Sequence, residues 1–319
     1  MKTIGGFFEL EMNPYRGELH SSAAALTSGR ACLAWILSVV KPTRVYIPDY
    51  CCRAVSETLS ESGVESCSYG IDANFRPLLD KSPQAEELFL YVNYFGIHTS
   101  VVRDLESRWS GRLILDNTQA FFEIPRAGSW AFNSARKFFG VPDGAYLYGA
   151  SLPSAELPSK SELRWDHLIK RHLGRQDGAY REFLENEALV TAKLYGMSPL
   201  SRCLLGGVDY TAVARRRREN FAIFRDELGA WNELEIGCPA DAVPFCYPLL
   251  LDHELNRTVL ARRGIFIPTF WPELIRGKTE TGTEFEQALA HRLLPLPVDH
   301  RYDSTDCRIV IQAIHELLK

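Results

Sequence analysis

Lys137 and Asp116 are the residues of this chain whose type and setting best suit covalent chemistry. Lys137 closes Asn133-Ser134-Ala135-Arg136-Lys137, which follows a strand-like stretch at 129–132 and precedes the turn Val141-Pro142-Asp143-Gly144 and a second apolar strand. An amine held between two rigid strands is partly desolvated and has little freedom, which suits it to attack a carbonyl carbon and form a Schiff base. Ser134, three residues earlier, can direct its hydroxyl at an anion. Asp116 ends Leu113-Ile114-Leu115-Asp116, a buried strand of a parallel sheet by its apolar run. Its carboxylate then lies at the carboxyl edge, where open α/β sheets bind ligands, and can pair with a protonated ring nitrogen. Gln119 follows three residues later, within reach of a ring oxygen or a substrate. Upstream, Thr27-Ser28-Gly29-Arg30 opens an apolar helix. Backbone N–H groups at such a start cradle phosphate, Gly29 permits close approach, and Ser28 and Arg30 add side-chain donors.

Each feature alone has an ordinary alternative: a surface Ser-x-x-Lys, a capping aspartate, a helix start that binds nothing. Their order counts for more: a phosphate turn, then a strand-end aspartate, then a lysine. Together they suit a lysine-bound pyridoxal 5′-phosphate (PLP).

The elements that must position these residues alternate as in a parallel α/β sheet. The pattern predicts helix 29–40, strand 44–47, helix 52–62, strands 66–71 and 88–93, helix 101–109, and strands 113–116, 129–132 and 145–148. A Pro- and Ser-rich loop spans 151–160, and 161–194 reads as helical and strongly charged. Near Gly206-Gly207 the chain leaves the first unit for a long helix, 210–228, then strand 247–251, helix 254–263 and strand 265–268. Arg215 to Arg218 read as a solvated face of the long helix, whose other face carries Val213, Ala214, Phe221, Phe224 and Leu228.

Composition sets the bounds. With 319 residues, 46% of them hydrophobic, the chain can bury one large core and one smaller one. A net charge of −4 argues against a general nucleic-acid or anionic-membrane binder. Apolar runs fall short of the ~20 residues of a membrane helix, and no secretory signal opens the chain, so a cytoplasmic location is expected. Eight cysteines without a CxxC pair and eight histidines without ligand spacing predict neither metal nor disulfides.

These motifs resemble the fold type I PLP-dependent enzymes, and within them the sugar aminotransferase family of DegT, DnrJ and StrS type. The resemblance covers nearly the whole chain. It also takes in Val45-Tyr46-Ile47-Pro48-Asp49-Tyr50, Leu204-Leu205-Gly206-Gly207-Val208-Asp209-Tyr210 and Arg292-Leu293-Leu294-Pro295-Leu296-Pro297-Val298. It implies an α/β fold with a mostly parallel sheet flanked by helices and a smaller C-terminal α/β domain. The boundaries are an N-terminal segment 1–20, a PLP-binding domain 21–206 and a small domain 207–319. It further implies Lys137 as the lysine that carries PLP, Asp116 as the partner of the pyridinium nitrogen, Gln119 as a ring or substrate contact, and Ser28, Gly29, Arg30 and Ser134 around the phosphate. The chain departs from the family's Ser-Phe-His before the lysine and acidic-Gly-Gly after it, as a divergent branch would. Where the family stacks an aromatic on the cofactor, this chain has Cys52, so Tyr50, with its larger face, is preferred over Cys52 for that role. Phe270-Trp271-Pro272 is either a packed aromatic turn or, as the resemblance implies, a loop that closes over substrate.

The activity so implied is ping-pong transfer of an amino group from an amino acid, glutamate, to a keto-sugar nucleotide, as used in polysaccharide biosynthesis. The resemblance also implies a homodimer with shared sites, in which 161–194 and Gly196-Met197-Ser198-Pro199 approach the neighbour's phosphate. The alternative is a monomer whose residues 4–10 cover its own site. Other functions compatible with the motifs are a different PLP reaction on a sugar, such as dehydration, and a regulatory or scaffolding protein on the same fold.

Overall fold

The computed structural model describes residues 10–79, 82–153, 157–159, 164–272, 274 and 282–318. Its larger layer is an eight-stranded sheet: β1 (Ala24–Leu26), β2 (Arg44–Pro48), β3 (Glu65–Ile71), β4 (Pro77–Leu78), β5 (Glu87–Val92), β6 (Leu113–Asn117), β7 (Trp130–Asn133) and β8 (Ala145–Tyr148). The spatial order is β1-β8-β7-β6-β5-β2-β3-β4. Strands β3, β2, β5, β6 and β7 pair in parallel, and β1, β8 and β4 join antiparallel at the two margins. The parallel pairs β2–β3 and β5–β6 are joined by the helical crossovers α2 (Arg53–Glu61) and α3 (Thr99–Trp109), while α1 (Gly29–Val40) leads from β1 to β2. Every residue of β5 and β6 is buried, which is why both read as continuous apolar runs instead of alternating ones.

Two helices, α4 (Asp166–His172) and α5 (Gln176–Leu189), replace the single helical stretch expected over 161–194. They part at Gly174, whose φ of +70° suits glycine; residues 161–163 lie outside the described part. The short helix α6 (Pro199–Gly206) precedes α7 (Tyr210–Leu228). Asp209 caps α7 by accepting the Ala212 N–H at 2.9 Å. The smaller unit adds β9 (Cys246–Leu250), α8 (Arg257–Arg262), α9 (Glu284–Arg292), β10 (Leu293–Pro297) and α10 (Ser304–Leu317). Here the structure corrects the sequence expectation. The partner of β9 is β10, antiparallel, and 265–268 is not a strand. Ile265 and Ile267 are buried by their side chains alone, while β10 leaves α9 directly and takes the backbone pairing.

Helix α7 buries Val213, Ala214, Phe221, Phe224 and Leu228 on one stripe, as its spacing predicts, but Arg217 belongs to that stripe too. The four-arginine run is therefore not wholly solvated. Within an apolar core that is continuous between the two sheets, Glu286 of α9 adds a polar tie. One of its carboxylate oxygens accepts the backbone N–H groups of Tyr50 and Ile71 at 3.3 Å each, while the other closes a capping box with Thr283. Among the described residues no helix is long and apolar enough to cross a membrane.

The penultimate strand of the sheet, β8, is pinned by a buried histidine. His20 Nδ1 lies 2.8 Å from the Tyr148 hydroxyl of β8, and Nε2 lies 2.6 Å from the Phe121 carbonyl. Burial pushes its pKa down to about 4, so the ring is neutral. A histidine pKa depressed by folding stabilises fully above the unfolded value of about 6.5 and ceases to do so as pH falls to the folded value. The melting temperature should therefore fall with pH from about 6.5 to about 4 more steeply in the wild type than in His20→Gln, which should cost about 1–3 kcal/mol at pH 7. Equal slopes for the two proteins in circular-dichroism melts would contradict this role.

Candidate active site

A cleft of about 240 Å³ opens at the carboxyl ends of β2, β6 and β7. The strands deliver its chemistry by register: Asp116 of β6 pairs opposite Phe132 of β7, so the residues that follow both strands emerge side by side. Ser28, Gly29, Arg30, Cys52, Asp116, Ser134 and Lys137 all line this cleft. Residues from 28 to 137 in the sequence thus meet in one place.

Local structure explains each position. Ser28 is the extended N-cap of α1 and accepts the Ala31 N–H at 3.1 Å. A Cβ on Gly29 would lie 3.2 Å from the Phe132 ring and 3.5 Å from the Thr118 methyl, so glycine lets the helix start pack tightly on β7. Lys137 ends a short 3₁₀ turn, Ala135–Lys137, that grows directly from β7. Its ammonium donates to Thr118 Oγ1 at 3.1 Å. Asp116 is 4% exposed and accepts the Thr118 N–H at 2.9 Å. Burial raises its carboxyl pKa, opposed by the Lys137 charge and the Thr118 donors. Thr118 therefore contacts both principal groups. It sits two residues after Asp116, and only the structure shows that contact.

The lysine turn is fixed from below. Gly144, at φ +131°, donates its N–H to Thr27 O at 2.8 Å and accepts from Ala135 N at 2.9 Å. A side chain there would meet Met197 and Ala135 at 3.1 and 3.3 Å. The neighbouring Asp143 is fully buried and accepts from Ser198 N at 2.8 Å, from Ser198 Oγ at 2.6 Å and from the Ser201 hydroxyl. It thereby holds the start of α6.

Two expected site residues lie elsewhere. The Tyr50 ring is fully buried, 4.4 Å from Trp271 edge to face and 5.9 Å from Tyr94, with none of it in the cleft. An aromatic of that size gains more from the core than from a half-open cleft. Cys52, the second choice for ring stacking, does line it. Gln119 is also buried, and its amide oxygen accepts the Phe95 N–H at 2.8 Å, holding a turn in which Phe95 has φ +57°. A buried amide satisfies a backbone donor here instead of reaching a ligand.

Other cleft residues carried no sequence signal. Arg136 borders Lys137 in the chain, and its guanidinium pairs with Glu187 of α5. Burial, with Arg30 nearby, lowers its pKa to about 10. Phe183, Glu187 and Val190 also line the cleft, so the end of the 161–194 stretch faces this chain's own site. A second cavity, about 420 Å³, adjoins the other side of Lys137 and is lined by Arg171, Arg217, Arg263 and Arg301, by Asp299, which pairs with Arg301 at 2.7 Å, by Asp306 and by Phe270. Trp271, next to Phe270, packs on Tyr50, so the aromatic loop is both core and cavity wall. Arg217 lies 4.4 Å over the Phe138 ring and donates to Pro244 O at 3.1 Å and Phe245 O at 3.2 Å. It ties the lysine turn to the smaller unit.

No protein-family model matches the chain, and no curated protein does. Solved structures do share its fold. The sugar aminotransferase CalS13 from Micromonospora echinospora is 16% identical over 93% of this chain and 88% of its own, at a TM-score of 0.60. A DegT DnrJ EryC1 StrS aminotransferase from Brucella abortus is 16% identical over 92% and 85%, at 0.60. The PLP form of Spr1654 from Streptococcus pneumoniae is 15% identical over 94% and 90%, at 0.63. The chain therefore has the fold type I architecture of these proteins, a large mostly parallel sheet flanked by helices.

A buried carboxyl whose pKa is raised by folding favours stability below its unfolded pKa and loses it as pH rises through the folded value. Asp116→Asn removes that titration. In cofactor-free protein, the melting temperature of the variant relative to wild type should rise by a few degrees between about pH 4 and neutrality, by roughly 2 °C per kcal/mol. A difference that stays constant or shrinks over that range would show that Asp116 ionises at no cost.

Proposed function

We propose that this chain is a PLP-dependent aminotransferase that moves an amino group from an amino acid, glutamate, to a keto-sugar carried on a nucleotide. The observation that carries this reading is the convergence of a lysine amine, a buried carboxyl and a hydroxyl- and guanidinium-lined end in one cleft, on a fold shared with sugar aminotransferases. The residues present fit PLP. Lys137 would hold its aldehyde carbon, Asp116 its ring nitrogen, and Ser28, Gly29, Arg30 and Ser134 its phosphate. Bound PLP supplies an electron sink for the charge left when a proton leaves the donor's α-carbon. Asp116 keeps a proton on the ring nitrogen, a task that suits a carboxylate withheld from water. Lys137, once freed from the cofactor, would be the base that takes and returns the proton of the donor's Cα, and Thr118, 3.1 Å from its amine, would orient it for that task. The same residues act in reverse on the acceptor ketone, which gives ping-pong kinetics.

The arginine-lined cavity beyond Lys137 suits the substrates. Glutamate carries two carboxylates and a sugar nucleotide a diphosphate, and guanidinium groups recognise both. The protein works as a cytoplasmic homodimer in polysaccharide biosynthesis. Trp165, Ile169, Leu173, Tyr180 and Leu184 of the α4–α5 hairpin are each 42–70% exposed, an apolar face that a second copy would cover. Sedimentation of a single 36.1 kDa species that still turns over would exclude the dimer.

Borohydride reduction of the yellow holoenzyme, followed by peptide mapping, should place the phosphopyridoxyl label on Lys137. Lys137→Ala should fold without any label. Asp116→Asn should keep the cofactor yet slow the glutamate half-reaction by about 10²–10⁴-fold. A label on Lys41 or Lys170, or normal half-reaction rates in Asp116→Asn, would defeat the assignment. Mass spectrometry of products from a panel of keto-sugar nucleotides identifies the acceptor.

A further inference from the structure

The phosphate end of the cleft is engaged by the chain itself. The carboxylate of Glu187 pairs with the Arg136 guanidinium. Just beyond α5, the Val190 carbonyl accepts from Arg30 Nη1 at 3.5 Å and the Thr191 carbonyl accepts from Ser28 Oγ at 3.3 Å. Three side chains whose donors suit an anion are thus met, within five consecutive residues, by one carboxylate and two carbonyls. The Arg136 side chain is only 14% exposed and that of Glu187 32%, so the pair is largely withdrawn from water.

The charges at this end are unbalanced. Arg30 and Arg136 bring two positive charges, and Glu187 returns one. A phosphate monoester carries about −1.5 to −2 near neutrality, enough to neutralise both guanidiniums. Phosphate and Glu187 cannot share the site cheaply, because two anions in a poorly hydrated cleft repel. Helix α5 need not leave for one to replace the other. Asn186, buried beside Glu187, fastens the helix by donating to Pro142 O at 3.1 Å and accepting from Arg164 N at 3.0 Å. A rotation of the Glu187 side chain and release of two weak carbonyl contacts suffice.

We propose that residues 187–191 form an internal anion strap, in which the Glu187 carboxylate occupies Arg136 until the phosphate of the cofactor exchanges with it, so that Arg136 is a phosphate-binding residue and Glu187 sets cofactor affinity. The identity of the anion as PLP rests on the function proposed above. The strap itself rests on the contacts around Arg136, Arg30 and Ser28.

The test uses full-length cofactor-free protein and three probes: inorganic phosphate, PLP, and pyridoxal, which has the ring and aldehyde but no phosphate. Affinities are read by calorimetry, with tryptophan fluorescence as a second signal. Glu187→Gln should bind phosphate and PLP about tenfold more tightly than wild type, with pyridoxal unchanged. Arg136→Gln, checked for folding by its melting curve, should weaken phosphate and PLP about tenfold and leave pyridoxal unchanged. Unchanged or weaker phosphate binding in Glu187→Gln would overturn the strap, because Glu187 would then be only a structural partner of Arg136. An equal gain for pyridoxal would overturn it as well. If Glu187→Gln tightens phosphate while neither protein binds PLP or pyridoxal, the strap stands and the cofactor assignment falls.

Discussion

The site depends on one glycine turn. Gly144 is hydrogen-bonded on one side to Thr27, next to the cap of α1, and on the other to Ala135, the first residue of the lysine turn. Two segments more than a hundred residues apart are thereby set at a fixed spacing by backbone bonds alone, and backbone bonds do not rotate as side chains do. The positive φ of Gly144 strains any other residue, and a Cβ there would crowd Met197 and Ala135. Asp143 extends the same constraint to α6, so the turn anchors three elements at once.

Within that frame the electrostatics follow from burial. Asp116 is withdrawn from water and so is costly to ionise unless a cation faces it, and Lys137 provides one while Thr118 donates to the carboxylate and accepts from the ammonium. At the opposite end the imbalance is reversed, with two guanidiniums near a single carboxylate. A cleft that is cationic at one end and holds a buried carboxyl at the other suits an elongated ligand with an anionic head and a basic ring.

The smaller unit is tied into this arrangement by polar bonds at its inner face. Glu286 accepts from two backbone N–H groups at the ends of β2 and β3, and Arg217 spans from α7 to the ring beside Lys137. A buried guanidinium bonded to carbonyls and stacked on an aromatic is costly to displace. The wall of the arginine-lined cavity is therefore set relative to the lysine.

Much of this was legible in the sequence. The lysine turn, the strand-end aspartate and the Ser-Gly helix start are short-range patterns, each encoded by neighbours within a few residues, and the parallel strands that carry them announce themselves as apolar runs. The sequence by itself thus determined the parallel strands, the order of the main elements along the chain, and that Asp116, Lys137 and the Ser28-Gly29 turn lie at the ends of those elements, while the marginal strands β1 and β4 carried no signal in it. Tertiary structure alone decided that Tyr50 joins the core while Cys52 meets the cleft, that Gln119 serves a backbone turn, that β9 pairs with 293–297, and that Arg217 turns inward. It alone placed Glu187 against Arg136, fifty-one residues away in the chain. The physical reason is common to all of these: a side chain's choice between core, solvent and cleft is settled by competition among partners distant in sequence, and no local spacing records the outcome.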